Sequence, residues 1–126
     1  MRDSDPYNNE VRARFENPVH AGDIEGDYAE VLVADVSESA QGARLVLAAG
    51  IDAGIIREIR FRAFGCPHLI AAADSICEAL VNQPVAGLAS VDSNQLAERL
   101  SVPVRKTGRL LLIEDAARLL GEKAGI

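Results

Sequence analysis

Residues 55–80 read IIREIRFRAFGCPHLIAAADSICEAL, and the spacing of the apolar positions changes halfway along. Up to Phe64 the period is two: Ile59, Phe61 and Ala63 alternate with Glu58, Arg60 and Arg62, the pattern of a strand with one wet face. Beyond Pro67 the positions Leu69, Ile70, Ala73, Ile76, Cys77 and Leu80 recur at helical spacing, so a helix lays an apolar stripe on the sheet. Between the two, Gly65 lets the chain bend sharply. Pro67 suits the first helical position, where its missing N–H would have had no partner. Cys66 therefore falls at or beside the N-cap, with its sulfur at the positive end of the helix, which favours the thiolate that binds metal or attacks sulfur.

Working upstream, Asp52-Ala53-Gly54 reads as a hairpin turn, preceded by the strand ARLVLAAGI (43–51), the connection SESAQG (37–42) and the strand YAEVLVADV (28–36). Short connections between successive strands imply an antiparallel meander, because parallel pairs need long crossovers. HAGDIEGD (20–27) reads as loop. YNNEVRARFENP (7–18) spaces Tyr7, Val11 and Phe15 along one face of a short helix that Asn17-Pro18 ends, and Met1–Pro6 reads as a polar, loose start.

Downstream, Asp92 or Ser93 caps a short helix that stops before Pro103. Thr107 is placed to cap a last helix with Leu112, Ala116 and Leu119 in its stripe and Gly121 at its end. The fold class is α+β, a three-stranded antiparallel sheet with helices packed mainly on one face, in a single domain over residues 1–126.

Composition narrows the function classes. The chain has 126 residues, of which 48% are hydrophobic, enough for one packed core of aliphatic side chains. A net charge of -6 repels a phosphate backbone, which argues against nucleic acid. The 2 cysteines make no disulfide framework, the start MRDSDPYNNE has no apolar signal core, and no run nears the ~20 apolar residues of a membrane helix. The expectation is a cytoplasmic protein in a reducing compartment with no membrane partner.

Cys66 and Cys77 would share one helix face but lie about 16 Å apart along the axis, too far for a disulfide or one metal ion. Cys77, among Ile76, Ala73 and Leu80, reads as a small core residue. His68, two positions after Cys66, reads as a surface or satisfied histidine rather than a co-ligand, and His20, in the loop after Pro18, is a weaker candidate still. An enzymatic role for Cys66 as nucleophile with His68 or His20 as base lacks an orienting group or oxyanion loop at recognisable spacing, so the chain is not read as an enzyme.

These residues also carry a resemblance. YNNEVRARFENPVHAG, GIIREIRFRAFGC, and NQLAERLSVPVRK followed by LIEDAARLL resemble the U-type iron–sulfur cluster assembly scaffolds, the IscU and SufU proteins and the N-terminal domain of NifU. The likeness runs from Tyr7 to about Leu120, with the glycine–cysteine corner as its most specific match. In that family three cysteines, an aspartate near the first and often a histidine beside the third line one end of the fold and hold a transient [2Fe–2S] cluster or a zinc ion. Carried over position by position, only the second cysteine is present, as Cys66. The first falls on Ser39 or Ala40 and the aspartate on Gln41 or Gly42, while the histidine and third cysteine fall on Gly108 and Arg109.

The family's Leu-Pro-Pro-Val-Lys chaperone-docking string corresponds to Val102–Lys106, which keeps one proline and the lysine. The resemblance implies an assembly scaffold that binds iron or a cluster through a reduced set centred on Cys66. Beyond Cys66 the chain offers at best distant carboxylates such as Glu38 or Asp35, and further ligands would come from a dimer mate, a partner or a small thiol such as glutathione. The alternative is a cluster-free module that docks the same partners, a cysteine desulfurase or other assembly proteins, through Arg105, Lys106 and Arg109. An iron–sulfur cluster or iron, zinc, and no metal at all stay open as cofactor outcomes, since zinc too wants about four ligands.

Overall fold

The computed structural model describes residues 7–126; Met1–Pro6, read above as a polar start, lie outside the described residues. The alternating stretch is a strand and the stretch after it a helix, as their periods require. The order is α1 (Asn9–Glu16), β1 (Glu30–Glu38), β2 (Ala43–Asp52), β3 (Ile55–Phe64), α2 (Pro67–Leu80), α3 (Ser93–Arg99) and α4 (Thr107–Lys123). Single 3-10 segments at Ser39–Gln41, Val85–Ser90 and Val104–Lys106 join them.

The strands form a three-stranded antiparallel meander in the order β1-β2-β3. Its β2–β3 turn places Ala53 and Gly54 at φ 51° and 75°, the left-handed pair that matches strand twist in a tight hairpin. Ala43, Leu45, Leu47 and Ala49 of β2 and Ile59 and Phe61 of β3 are buried beneath the helices, α2 packing on β3 and α4 on β1 and β2. On the opposite face Val31, Val33 and Phe64 are exposed, while the Tyr28 ring lies against Gly50, where a Cβ would collide with it.

Glu58 holds that ring and its loop in place by accepting from Tyr28 Oη (2.8 Å), the Glu25 and Gly26 amides and Arg60 Nε. Burial pushes the Glu58 carboxyl up, but the bonds from Arg60, Gly26, Tyr28 and Glu25 outweigh it and bring it down to about 2.

Helix α2 departs from the simple stripe. Besides the apolar positions, His68, Ala71, Ala72, Asp74 and Ser75 are buried, and only Glu78 and Ala79 are exposed. Its neighbours are β3, α1 and α4. Asp74 is 1% exposed and held by Arg14 Nη1 of α1 at 2.7 Å and by the His20 amide at 2.9 Å. Arg99 of α3 donates to the Ser75 hydroxyl. The α1 face read as apolar is accordingly more ionic: Val11 is its buried residue, Phe15 is 45% exposed, and Arg14 makes the deep contact.

Other boundaries differ for local reasons. Ser37 and Glu38 extend β1 because they pair with Arg44 and Ala43. Residues 20–22 are not free loop, since Ala21 bridges Phe61 and the Gly22 amide donates to the Phe61 carbonyl at 2.9 Å. Asp92 is the α3 cap, as read, accepting from the Asn94 and Gln95 amides. Thr107 does not cap α4: the preceding 3-10 turn runs straight into the helix, and the Thr107 hydroxyl donates to the Val104 carbonyl at 2.9 Å. Gly121 does not end α4, which continues to Lys123; a Cβ on Gly121 would come within 3.0 Å of Ile126, which folds back over it through Gly125 at φ 91°.

Arg14→Met leaves Asp74 buried with only a backbone donor, so it should lower the unfolding free energy in urea by about 3 kcal/mol. Adding Asp74→Asn removes the stranded charge and should recover part of the loss. A single variant as stable as wild type would show that the pair is not what seats α1.

Candidate functional site

Cys66 is the N-cap of α2, in extended backbone at φ -81° and ψ 164°, with Pro67 in the first turn. Its carbonyl accepts from the Leu69 and Ile70 amides, but its side chain makes no capping bond, so the half-buried sulfur is not spent on the helix. Gly65 makes the approach possible: a Cβ there would lie 2.8 Å from Leu69 Cδ2 and 3.7 Å from the Ala43 Cβ. The corner thus sits against the first residue of β2, directly after the segment Ser39–Gly42.

That segment closes on itself. Gly42, at φ 63°, donates to the Ser39 carbonyl, and Glu38 Oε1 accepts from the Ala40 amide at 2.8 Å. Asp35 is turned to the open sheet face, paired through both oxygens with Arg44. Glu38 and Asp35, the distant carboxylates the sequence offered, are therefore both engaged elsewhere.

His68 overturns its sequence reading. The side chain is neither at the surface nor satisfied: the residue is fully buried, and both Nδ1 and Nε2 lack a hydrogen-bond partner. Its ring packs on Tyr7 with centroids 4.8 Å apart and planes tilted by 55°, and Lys106 Nζ lies 5.7 Å from the centre of the same Tyr7 ring. Burial holds the imidazole below its ordinary value, and the charges of Lys106, Arg109 and Arg105 add to that effect, so it is kept neutral. The contribution of Tyr7 to this corner was missed in the sequence, where it reads only as the start of an apolar helix face.

Cys77, by contrast, is fully buried in the core, and burial followed by the nearby Asp74 pushes its thiol far up. His20 contributes backbone rather than side chain, through its amide to Asp74 and its carbonyl to the Phe61 amide.

The local chemistry is then one uncommitted sulfur, one orphaned imidazole and three basic side chains, in a chain whose net charge is -6. A thiolate and a neutral imidazole are each donors that iron and zinc accept. Among the described residues no three His, Cys, Asp or Glu side chains gather as a metal site. No described helix is long and apolar enough to cross a membrane.

A family model described as NifU-like N terminal domain matches residues 6–119. The chain is similar to the iron-sulfur cluster assembly scaffold protein IscU of Haemophilus influenzae, 28% identical over 113 residues that cover 89% of this chain and 90% of that protein. The scaffold protein IscU of Escherichia coli is 27% identical over 113 residues, with 89% and 88% covered. Among solved structures, a NifU-like N-terminal protein from Brucella abortus superposes with a TM-score of 0.69 at 16% identity over 94% of this chain and 95% of that one. A structure from Fervidobacterium islandicum assigned to iron–sulfur cluster assembly for the SUF system gives 0.72 at 14% identity, covering 91% and 96%. At such identities the structural likeness speaks for the fold.

Two measurements check the corner. Iodoacetamide added to the folded protein should label Cys66 only, with Cys77 becoming reactive after unfolding; equal labelling of both would contradict its burial. For His68 the folded imidazole binds its proton less readily than the unfolded one, so its contribution to stability is intact above about pH 6.5 and is lost as the pH falls through that value. The urea midpoint should therefore fall between pH 7 and 5, by at most about 1.4 kcal/mol per pH unit, and His68→Phe should flatten that fall. An unchanged slope in the variant would contradict the neutral, buried imidazole.

Proposed function

The chain belongs to the NifU-like N-terminal domain family, and on that premise we propose that it is a non-enzymatic iron–sulfur cluster assembly scaffold, one domain, that binds iron or a cluster through a reduced ligand set centred on Cys66. The observation that carries the reading is the uncommitted Cys66 sulfur on the strand-to-helix corner, which the resemblance matches to the family's second cysteine. Thiolate ligation of iron suits that atom.

The donors among the described residues do not close a four-ligand site, and the remaining ligands come from a second copy, the thiols of a partner, or a small thiol such as glutathione. The cluster or ion is cargo. A cysteine desulfurase or another assembly protein is the partner this role requires, and a reducing cytoplasmic setting suits a free thiol with this duty. Phe64, 74% exposed two residues before Cys66, offers such a partner an apolar anchor beside the corner.

A second reading is a cluster-free module that docks the same partners through Arg105, Lys106 and Arg109. It is favoured by one observation, that no three ligand-type side chains gather among the described residues.

Anaerobic reconstitution with iron and sulfide, with and without a cysteine desulfurase, separates the two. Wild type should retain iron, acid-labile sulfide and a visible charge-transfer spectrum, and Cys66→Ser should lose all three. If neither protein retains iron or sulfide, the scaffold reading fails. A desulfurase pull-down unaffected by Cys66→Ser would then support docking without cargo, and zinc in the purified protein would show as metal without sulfide.

A further inference from the structure

We propose that the outer edge of β1 is a docking site for an extended, basic segment of a partner protein, which joins the sheet as a fourth strand. The site is separate from the Cys66 corner and independent of what that corner binds.

The two edges of the sheet differ. On β3 the chain closes its own edge: the Phe61 amide donates to the His20 carbonyl at 3.0 Å and the Gly22 amide to the Phe61 carbonyl at 2.9 Å. Further along, the Ile56 amide donates to the Gln83 carbonyl and the Asn82 amide to the Ile56 carbonyl. β1 pairs with β2 alone, and among the described residues none of its backbone groups bonds outside that ladder.

The register says which groups are left open. Phe61 turns its amide and carbonyl away from β2, so its partner Leu47 turns its own toward β1, where it bonds Ala34. Alternation then points the N–H and C=O of Val31, Val33, Asp35 and Ser37 outward, along a strand of 9 residues. An open row of this kind is a template for strand addition. Proline and bulges commonly blunt such an edge, and β1 has neither: its sequence holds no proline and its register against β2 is unbroken.

Coverage and charge identify the occupant. On the helix side Leu32 and Val36 are only half-buried, whereas their β2 partners Ala49 and Leu45 are fully buried. Between this edge and α4 runs a groove lined by Val36, Leu119, Asp115, Arg118 and Glu122. Arg44 and Arg118 are taken by Asp35 and Asp115, which leaves Glu30, Glu38 and Glu122 without an ion-pair partner among the described residues. Lysine or arginine on the helix side of an added strand would lay its stem over Leu32 and Val36 and bring its charge to those carboxylates. Apolar residues at the alternate positions would fall beside Val31 and Val33, which are 50% and 45% exposed on the open face. A second copy fits poorly. Full antiparallel self-pairing, centred on Ala34, sets Glu30 opposite Glu38 at both ends, and like charges directly opposite are destabilising.

The probe is a capped peptide of alternating lysine and valine, matched to the 9 residues of β1, with the glutamate–valine peptide as control, titrated into the whole protein by calorimetry. Wild type should bind the lysine peptide, less tightly as salt rises, and not the glutamate peptide. Val33→Pro removes one outward N–H and leaves the β1–β2 ladder intact, so it should fold and weaken binding by about tenfold or more. Glu30→Lys combined with Glu122→Lys should weaken it as well. Amide hydrogen exchange at Val31, Val33, Asp35 and Ser37 of wild type should slow when the peptide is bound. No binding, or binding that Val33→Pro leaves unchanged, overturns the site, and equal binding of both peptides overturns the basic character of the partner. If Val33→Pro fails to fold, the exchange measurement decides, unchanged rates at those amides overturning the site. A wild type that sediments as a dimer and a Val33→Pro variant that sediments as a monomer would give the edge to a second copy and overturn the partner assignment.

Discussion

Most of the molecule is arranged around the need to bury one helix on nearly every side. Ala71, Ala72 and Ala73 are each fully buried, and their small side chains let β3, α1 and α4 all approach α2 closely. Aliphatic bulk at those positions would hold the neighbours apart. Apart from the exposed Glu78 and Ala79, such a helix has no wet surface for polar residues, so Asp74 and Ser75 must be met inside the protein. Arg14 and Arg99 do this, and in doing so they fix where α1 and α3 sit. Glu10 then ties those two elements to each other, accepting from Arg14 at 2.8 Å and from Arg99 at 2.7 Å. The ion pairs act here less as added stability than as a specification of which surface of each helix faces α2.

A helix held from three sides has a fixed N-terminus, and that is where the chemistry is placed. Cys66 rides on the end of α2, backed by β2 through the absence of a Cβ at Gly65. The segment Ser39–Gly42 satisfies its own backbone, and Glu38 is used in doing so. Ligand supply at this end is therefore asymmetric: one sulfur is positioned by rigid elements, and the neighbouring segment offers no acid. The basic residues at the start of α4 add positive potential that suits anionic thiolates and persulfide-like sulfur better than bare cations.

The sheet, the corner and the long helices were legible because each rests on a local rule: a change of period from two to 3.6, a proline in the first turn, an Asp at an N-cap. The Thr107 cap failed because a 3-10 turn runs directly into the helix, a feature that hydrophobic spacing does not register. Gly121 looked like a helix end because a glycine near a terminus usually is one, whereas its role here is to let Ile126 close over α4. The ionic seat of α1 was hidden because Arg14 and Asp74 are 60 residues apart in sequence. Cys66 could be singled out from its local setting, but the burial of His68 depends on Tyr7 from the far end of the chain, and no local pattern reports that.

The contrast among the polar residues of α2 bears on what the corner is for. Wherever this helix carries a polar side chain for architecture, the fold supplies a matched partner. Asp74 has an arginine and an amide, and Ser75 has an arginine. His68 is equally buried, yet neither ring nitrogen has a hydrogen-bond partner; it meets the Tyr7 ring and lies in the field of Lys106, Arg109 and Arg105. If its purpose were packing against Tyr7, a phenylalanine or leucine would serve without leaving two nitrogens dry.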